Sequence, residues 1–285
     1  MTPTTRAAAR RNARRRRLHA AVLLGAITIG SLTATSTAEA ESAPVRSAKP
    51  TVVLVHGAWA DSSSWSAVVR RLQTRGYPVV APANPLRSLS GDSAYLETLL
   101  ETIDGPVVLV GHSYGASVVT NAAAGDPDVR ALVFVNGSVP ARGETVAELA
   151  GPDSALSVSD PTTIFDFAPA TLPPTPDSDV YLKQSTFLQS FATGLRGRRA
   201  KSLWAMQRPI TLGALNEPSG RPAWRTIPSW YLIGTKDLVI PKSAQRGMAK
   251  KAGSTIVRFD EGHLGLITDP GAVVRTITSA VRSTS

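Results

Sequence analysis

Val107-Val108-Leu109-Val110-Gly111-His112-Ser113-Tyr114-Gly115 is the stretch that decides the reading of this chain. An apolar, β-branched run enters a Gly-x-Ser-x-Gly sequence, and the small residues Ala116-Ser117-Val118-Val119 follow it. That order predicts a buried strand, a sharp turn and a helix. A serine on so tight a turn takes up a strained backbone, and side chains at Gly111 or Gly115 would collide with the neighbouring strand and helix. The turn should push the Ser113 hydroxyl out at the carboxyl end of a sheet. The helix N-terminus behind it favours developing negative charge.

Outward from the turn, short apolar runs alternate with amphipathic segments. Strands are predicted at 51–55, 77–81, 107–110 and 131–135, with helices at 63–73, 94–103 and 114–124. This alternation implies parallel βαβ units and an α/β sheet. The rhythm breaks after Asn136. Residues of about 138–225 are richer in proline, clearest at Leu172-Pro173-Pro174-Thr175-Pro176, and show no strong strand pattern. The rhythm resumes with strands at 229–233 and 255–259 and helices at 242–251 and 270–281. The middle segment therefore reads as an insertion between two sheet strands.

The front of the chain is of another kind. Arg10, Arg11 and the run Arg14 to Arg17 form a basic segment, an apolar stretch covers about 20–30, and Ala38-Glu39-Ala40 resembles a cleavage site. Residues 1–40 are expected to be a signal peptide removed before Glu41, leaving a domain of residues 41–285. The apolar stretch is too short to span a bilayer, for which about 20 residues are needed. Arg15-Arg16-Arg17-Leu18 resembles a twin-arginine signal, with His19 where a second apolar residue is usual; Sec and Tat routes both stay open. Residues 1–40 hold seven Arg and one Glu, so 24 basic and 20 acidic residues remain beyond them. The net charge of +10 thus belongs mostly to the signal and gives no case for a nucleic-acid partner. With no cysteine there is no disulfide, thiolate metal site or lipobox anchor. At 42% hydrophobic and 18% charged, the remainder can bury the core of one globular domain.

An activated serine needs a base, the base needs an orienting carboxylate, and a tetrahedral oxyanion needs two N–H donors. Of four histidines, His19 lies in the signal, His56 precedes Gly57, and His112 cannot turn back onto its neighbour Ser113. His263, in a loop following the strand at 255–259, is the expected base. Asp237, after the strand at 229–233, is the expected carboxylate, with Asp260 and Glu261 as less favourable partners because they lie so close to His263 in sequence. The donors should be the backbone N–H groups of Ala58, in Val55-His56-Gly57-Ala58-Trp59, and of Tyr114. No cofactor and no metal are called for.

His56-Gly57-Ala58-Trp59, Gly111-His112-Ser113-Tyr114-Gly115, Gly234-Thr235-Lys236-Asp237-Leu238-Val239-Ile240-Pro241 and Gly262-His263 together resemble the α/β-hydrolase superfamily. More narrowly, the chain looks like bacterial esterase-like members related to plant methylesterases and hydroxynitrile lyases. The resemblance covers about residue 50 to the C-terminus. It implies an α/β-hydrolase fold, with a largely parallel sheet flanked by helices and a helical cap formed by the insertion at about 138–225. The lyases typically have Thr at the position of Gly57 and Lys after the base, where this chain has Leu264, so ester hydrolysis fits better. Epoxide hydrolases and haloalkane dehalogenases usually need Asp in place of Ser113. The implied substrate is a small-molecule ester. Lactone or amide hydrolysis, acyl transfer, and a non-catalytic binding role are the alternatives. Within the cap, Phe165, Phe167, Phe187, Phe191, Leu195, Trp204 and Met206 are candidate packing or pocket residues. Arg196, Arg198, Arg199 and Lys201 read as a solvated face, and Trp59 and Trp65 as pocket wall or core.

Overall fold

The computed structural model describes residues 49–284; the expected signal peptide and its cleavage site lie outside the described residues. Six parallel strands form the main sheet: β1 (Thr51–Val55), β2 (Val79–Val80), β3 (Val107–His112), β4 (Val129–Val135), β8 (Ser229–Gly234) and β9 (Thr255–Phe259). Their spatial order is β2-β1-β3-β4-β8-β9. Central strands of a parallel sheet are covered on both faces and read as continuous apolar runs rather than alternating ones. β3 is buried at every residue, and β4 at every residue but Arg130. The chain moves outward from β1 to β2, then crosses back to lay β3 on the other side of β1. Such a reversal leaves a crevice beyond the carboxyl ends of the two strands. The turns leaving β1 and β3 both open there.

Most predicted elements recur, and the shifted boundaries have local causes. The helix expected at 94–103 spans Leu89–Leu100 because the Ser88 hydroxyl accepts the Gly91 N–H at 3.1 Å, starting it earlier. The helix expected at 63–73 opens with a 3₁₀ turn, Ser62–Trp65, capped by Asp61, before Ser66–Thr74 continues as α-helix. The strand expected at 77–81 shortens to two residues, with Pro78 and Pro82 flanking it on the sheet edge. No helix among the described residues is long and apolar enough to cross a membrane.

The insertion between β4 and β8 carries short helices, including Val146–Ala150, Gly197–Ala205 and Leu212–Asn216. It also contains strands that the proline-rich sequence obscured. β5 (Phe165–Ala168), β6 (Asp179–Leu182) and β7 (Ile210–Thr211) form an antiparallel sheet. Their sequences do alternate, with Val180 and Leu182 buried on one face of β6. Trp59 ties this cap to the main sheet: its indole N–H donates to Val180 O at 2.8 Å and its backbone N–H to Arg208 O at 3.0 Å.

The glycines of the β3 turn are required by close approach. A Cβ on Gly111 would lie 2.5 Å from Ala116 Cα, and one on Gly115 would lie 2.5 Å from Val55 O. Gly115→Ala should therefore lower the unfolding free energy by about 1–3 kcal/mol. Gly247, in the helix Lys242–Lys251, has nothing within 4 Å of an added Cβ. Gly247→Ala should stabilise by about 0.5–1 kcal/mol. Guanidinium unfolding of both variants checks this; a neutral Gly115→Ala would contradict the packing described.

Candidate active site

Ser113 sits between β3 and the helix Tyr114–Ala122 with φ 53° and ψ −127°, a conformation a non-glycine residue adopts only when its surroundings impose it. The β1 turn presses against it, since a Cβ on Gly57 would lie 2.6 Å from Ser113 Cβ. Ser113 Oγ is 2.9 Å from His263 Nε2, and His263 Nδ1 is 2.8 Å from Asp237 Oδ2. The three residues expected from the sequence thus form one hydrogen-bonded line. His263 and Asp237 have fully buried side chains, and Ser113 is 7% exposed.

Asp237 caps its own loop, with Oδ1 accepting the N–H groups of Val239 (2.8 Å) and Ile240 (3.0 Å). Its Oδ2 accepts from Asn136 Nδ2 (2.9 Å) and Gln245 Nε2 (3.0 Å) as well as facing His263. Of the two alternative carboxylates, Asp260 points to solvent and pairs with Thr235 and Lys236, and His263 Nδ1 faces Asp237 rather than Glu261. Neither Asn136 nor Gln245 was singled out from the sequence. Both left a trace: Asn136 is a polar residue ending an apolar central strand, and Gln245 shares the buried stripe of its helix with Met248 and Ala249.

The two other described histidines have structural tasks. His56 Nε2 accepts the Asn84 N–H at 3.0 Å, so Nδ1 carries the proton and donates to Gly57 O at 2.9 Å. Asn84 Nδ2 closes the ring by donating to His56 O. These bonds fix the turn that holds Ala58, whose N–H donates to no protein acceptor among the described residues. Tyr114 N–H opens the helix, where amides lack intrahelical acceptors. His112 Nε2 donates to His263 O at 2.9 Å, anchoring the loop of that imidazole. The Tyr114 hydroxyl donates to Asp92 Oδ2 at 2.7 Å, pinning the helix behind Ser113 to the helix Leu89–Leu100. Burial raises the Asp92 carboxyl and the Tyr114 phenol above their ordinary ranges.

Aromatic rings close over the line. Phe191 lies 5.1 Å from the His263 ring, Trp59 stacks on Phe165 at 5.8 Å and meets Phe191 edge-on at 5.8 Å, and Phe187 abuts Phe191 at 4.9 Å. Phe187 and Phe191 both face inward from one π-helical turn. Together with Trp59, Leu203, Met206 and Leu264 they line a mostly apolar crevice, to which Asp61, Ser63 and Ser64 add polar groups. Trp65, by contrast, is core, and Arg196, Arg198, Arg199 and Lys201 lie exposed. Among the described residues no group of three or more His, Cys, Asp or Glu could hold a metal ion.

The sequence profile of the alpha/beta hydrolase family matches residues 52–276. An alpha/beta hydrolase of Aspergillus novofumigatus is 27% identical over 264 residues, covering 81% of this chain and 96% of that protein. A pyrethroid hydrolase of Sphingobium wenxiniae is 25% identical over 220 residues, covering 70% and 75%. The solved structure of a methylesterase from Arabidopsis superposes with a TM-score of 0.67 at 17% identity, covering 82% of this chain and 99% of that one. That likeness is one of fold.

Burial lowers the pKa of His56 and lowers that of His112 well below 6.5. Both rings are neutral in the folded protein, whereas an unfolded chain protonates them near pH 6.5. The unfolded state therefore binds more protons below that value. Stability should fall as the pH drops below it, by up to about 1.4 kcal/mol per pH unit for each ring. The carboxyls of Asp92 and Glu97, both raised by burial, act in the opposite sense at pH values above their ordinary 3.8 and 4.5. Guanidinium unfolding at about pH 7.5 and 5.5 reads the difference; equal stability at both would contradict neutral burial of the two imidazoles.

Proposed function

The chain belongs to the alpha/beta hydrolase family, and from that premise we propose that it is an exported, cofactor-independent serine hydrolase cleaving small carboxylic esters. The observation that carries this reading is the unbroken hydrogen-bonded line from Asp237 through His263 to Ser113 at a strained turn. Relatives named for hydrolase and esterase activities support the ester bond as the target.

In this reading His263 Nε2 takes the Ser113 proton as Oγ attacks the ester carbonyl carbon. Asp237 fixes the imidazole with its proton on Nδ1 and stabilises the imidazolium. The oxyanion is held by the N–H groups of Ala58 and Tyr114, with the helix N-terminus adding its dipole. Collapse of the tetrahedral species expels the alkoxide, which takes the proton from His263 and leaves as the alcohol. Water then gives its proton to His263 and attacks the acyl-Ser113 ester, and Oγ leaves with the proton returned. The acid is released and the serine restored. Apart from the ester and one water, every group these steps use belongs to the chain. Asp61, Ser63 and Ser64 apart, the crevice walls are apolar, which suits an uncharged acyl or alcohol group.

Hydrolysis of p-nitrophenyl esters from acetate to long acyl chains tests the reading. Ser113→Ala and His263→Ala should each lower kcat on the order of 10⁶-fold while leaving the fold intact. Turnover retained in either folded variant would overturn the assignment. The chain-length optimum would size the crevice. For export, the secreted protein should begin at or near Glu41 on N-terminal sequencing, and a start at Met1 would refute cleavage.

A further inference from the structure

Among the described residues, no Lys or Arg pairs with the buried Asp237 carboxylate. Five donors surround it: two backbone N–H groups on Oδ1, and His263, Asn136 and Gln245 on Oδ2. A buried carboxylate is costly unless its lone pairs are satisfied. The usual partner for a buried anion is Lys or Arg, but a full positive charge there would oppose formation of the His263 imidazolium. Two neutral amides satisfy the carboxylate without that opposition.

The placement of Asn136 is hard to explain by packing alone. It adopts φ 47°, its Oδ1 is buried without a hydrogen-bond partner, and its backbone N–H is already used on Leu232 O. Leaving a buried carbonyl unpaired is unfavourable, so the side chain's contribution lies in its NH₂ group. One N–H of that group reaches Asp237 Oδ2 at 2.9 Å, and the other leans toward Gly262 O at 3.4 Å, the residue before His263. The amide therefore bridges the carboxylate to the loop that carries the imidazole. Space is reserved for it: a Cβ on Gly234 would lie 2.1 Å from Asn136 Nδ2. Gln245 works from the opposite side, its NH₂ joining Asp237 Oδ2 to Ile240 O (2.7 Å) while its Oε1 accepts the Gly234 N–H (3.2 Å).

We propose that Asn136, assisted by Gln245, is a positioning residue that keeps Asp237 Oδ2 anionic and aimed at His263 Nδ1 while the imidazole carries the serine proton. The proposal rests on the Ser113–His263–Asp237 reading above. Asn136 bonds neither the Ser113 hydroxyl nor the His263 ring, and it acts through Asp237 and the Gly262 carbonyl. Gln245 has a second task in holding the end of β8, so Asn136 is the cleaner handle.

Asn136→Asp keeps the shape and tolerates the positive φ, but it sets a second carboxyl against Asp237, and the pair must share a proton that the neutral amide never required. Asn136→Gly also tolerates that φ and removes the amide entirely. In each variant kcat on a p-nitrophenyl ester should fall about 10- to 100-fold with KM unchanged within about twofold. The far-downfield proton resonance of His263 Nδ1–H, read by NMR without substrate, should shift or broaden away in both. Unchanged kcat in the folded variants, or a loss confined to KM, would overturn the proposal. So would a downfield resonance identical to that of the unsubstituted protein. Ser113→Ala run alongside separates the two readings. Turnover that survives in Ser113→Ala removes the triad assignment, whereas Ser113-dependent turnover indifferent to Asn136 removes only this one. The resonance reports on the carboxylate whichever way turnover falls.

Discussion

The structure depends on a backbone contact that leaves no room for a methyl group. Where β3 turns into the helix Tyr114–Ala122, the Gly115 position lies against the carbonyl oxygens of Val55 and His56, and Gly57 lies against Ser113 itself. These contacts bring the ends of β1 and β3 together at the reversal point of the sheet. They also force Ser113 to φ 53°. A residue in that conformation is strained on its own and persists because strand, helix and neighbouring turn over-determine it. The hydroxyl then projects into the space that His263 reaches from the far end of the sheet. Without that contact the β1 amides and the β3 serine would not share a site.

Around this point the electrostatics are those of a dry interior. His56 and His112 are neutral because burial penalises the charged ring, and each donates its one N–H to a carbonyl that shapes the site. Tyr231 is held neutral in the same way, its phenol raised by burial and by the nearby Asp237 charge, with its hydroxyl on Gly137 O. Asp237 is thus surrounded by neutral donors, and its negative charge is left to act on His263. The cap completes the enclosure. Ser113 is only 7% exposed, and the Phe191 ring lies tilted against that of His263.

The sheet was legible because its signal is local and strong. Val107–His112, Ser229–Gly234 and Thr255–Phe259 are apolar runs flanked by turn residues, and the helix at 242–251 matches residue for residue. Ser113 was legible from its motif and His263 from an elimination among four histidines, whereas Asp237 had to be preferred over Asp260 and Glu261 by its place after a central strand. The cap strands were less so. Phe165–Ala168 and Asp179–Leu182 are four residues each, separated by a proline-rich stretch, and only their pairing makes them strands. Asn136 and Gln245 went unread for a different reason. Their importance lies in meeting one carboxylate from two elements more than a hundred residues apart, and nothing in either local sequence records that meeting.

The central claim, that Ser113 is the nucleophile at the end of this hydrogen-bonded line, is tested most directly by covalent trapping. The purified protein is treated with a p-nitrophenyl phosphonate, which transfers its phosphonyl group to an activated serine, then digested and analysed by mass spectrometry. The account predicts one phosphonyl group per chain, on the peptide containing Ser113, and no labelling of the His263→Ala variant. A folded protein that takes no label, or takes it at another residue, would contradict the account.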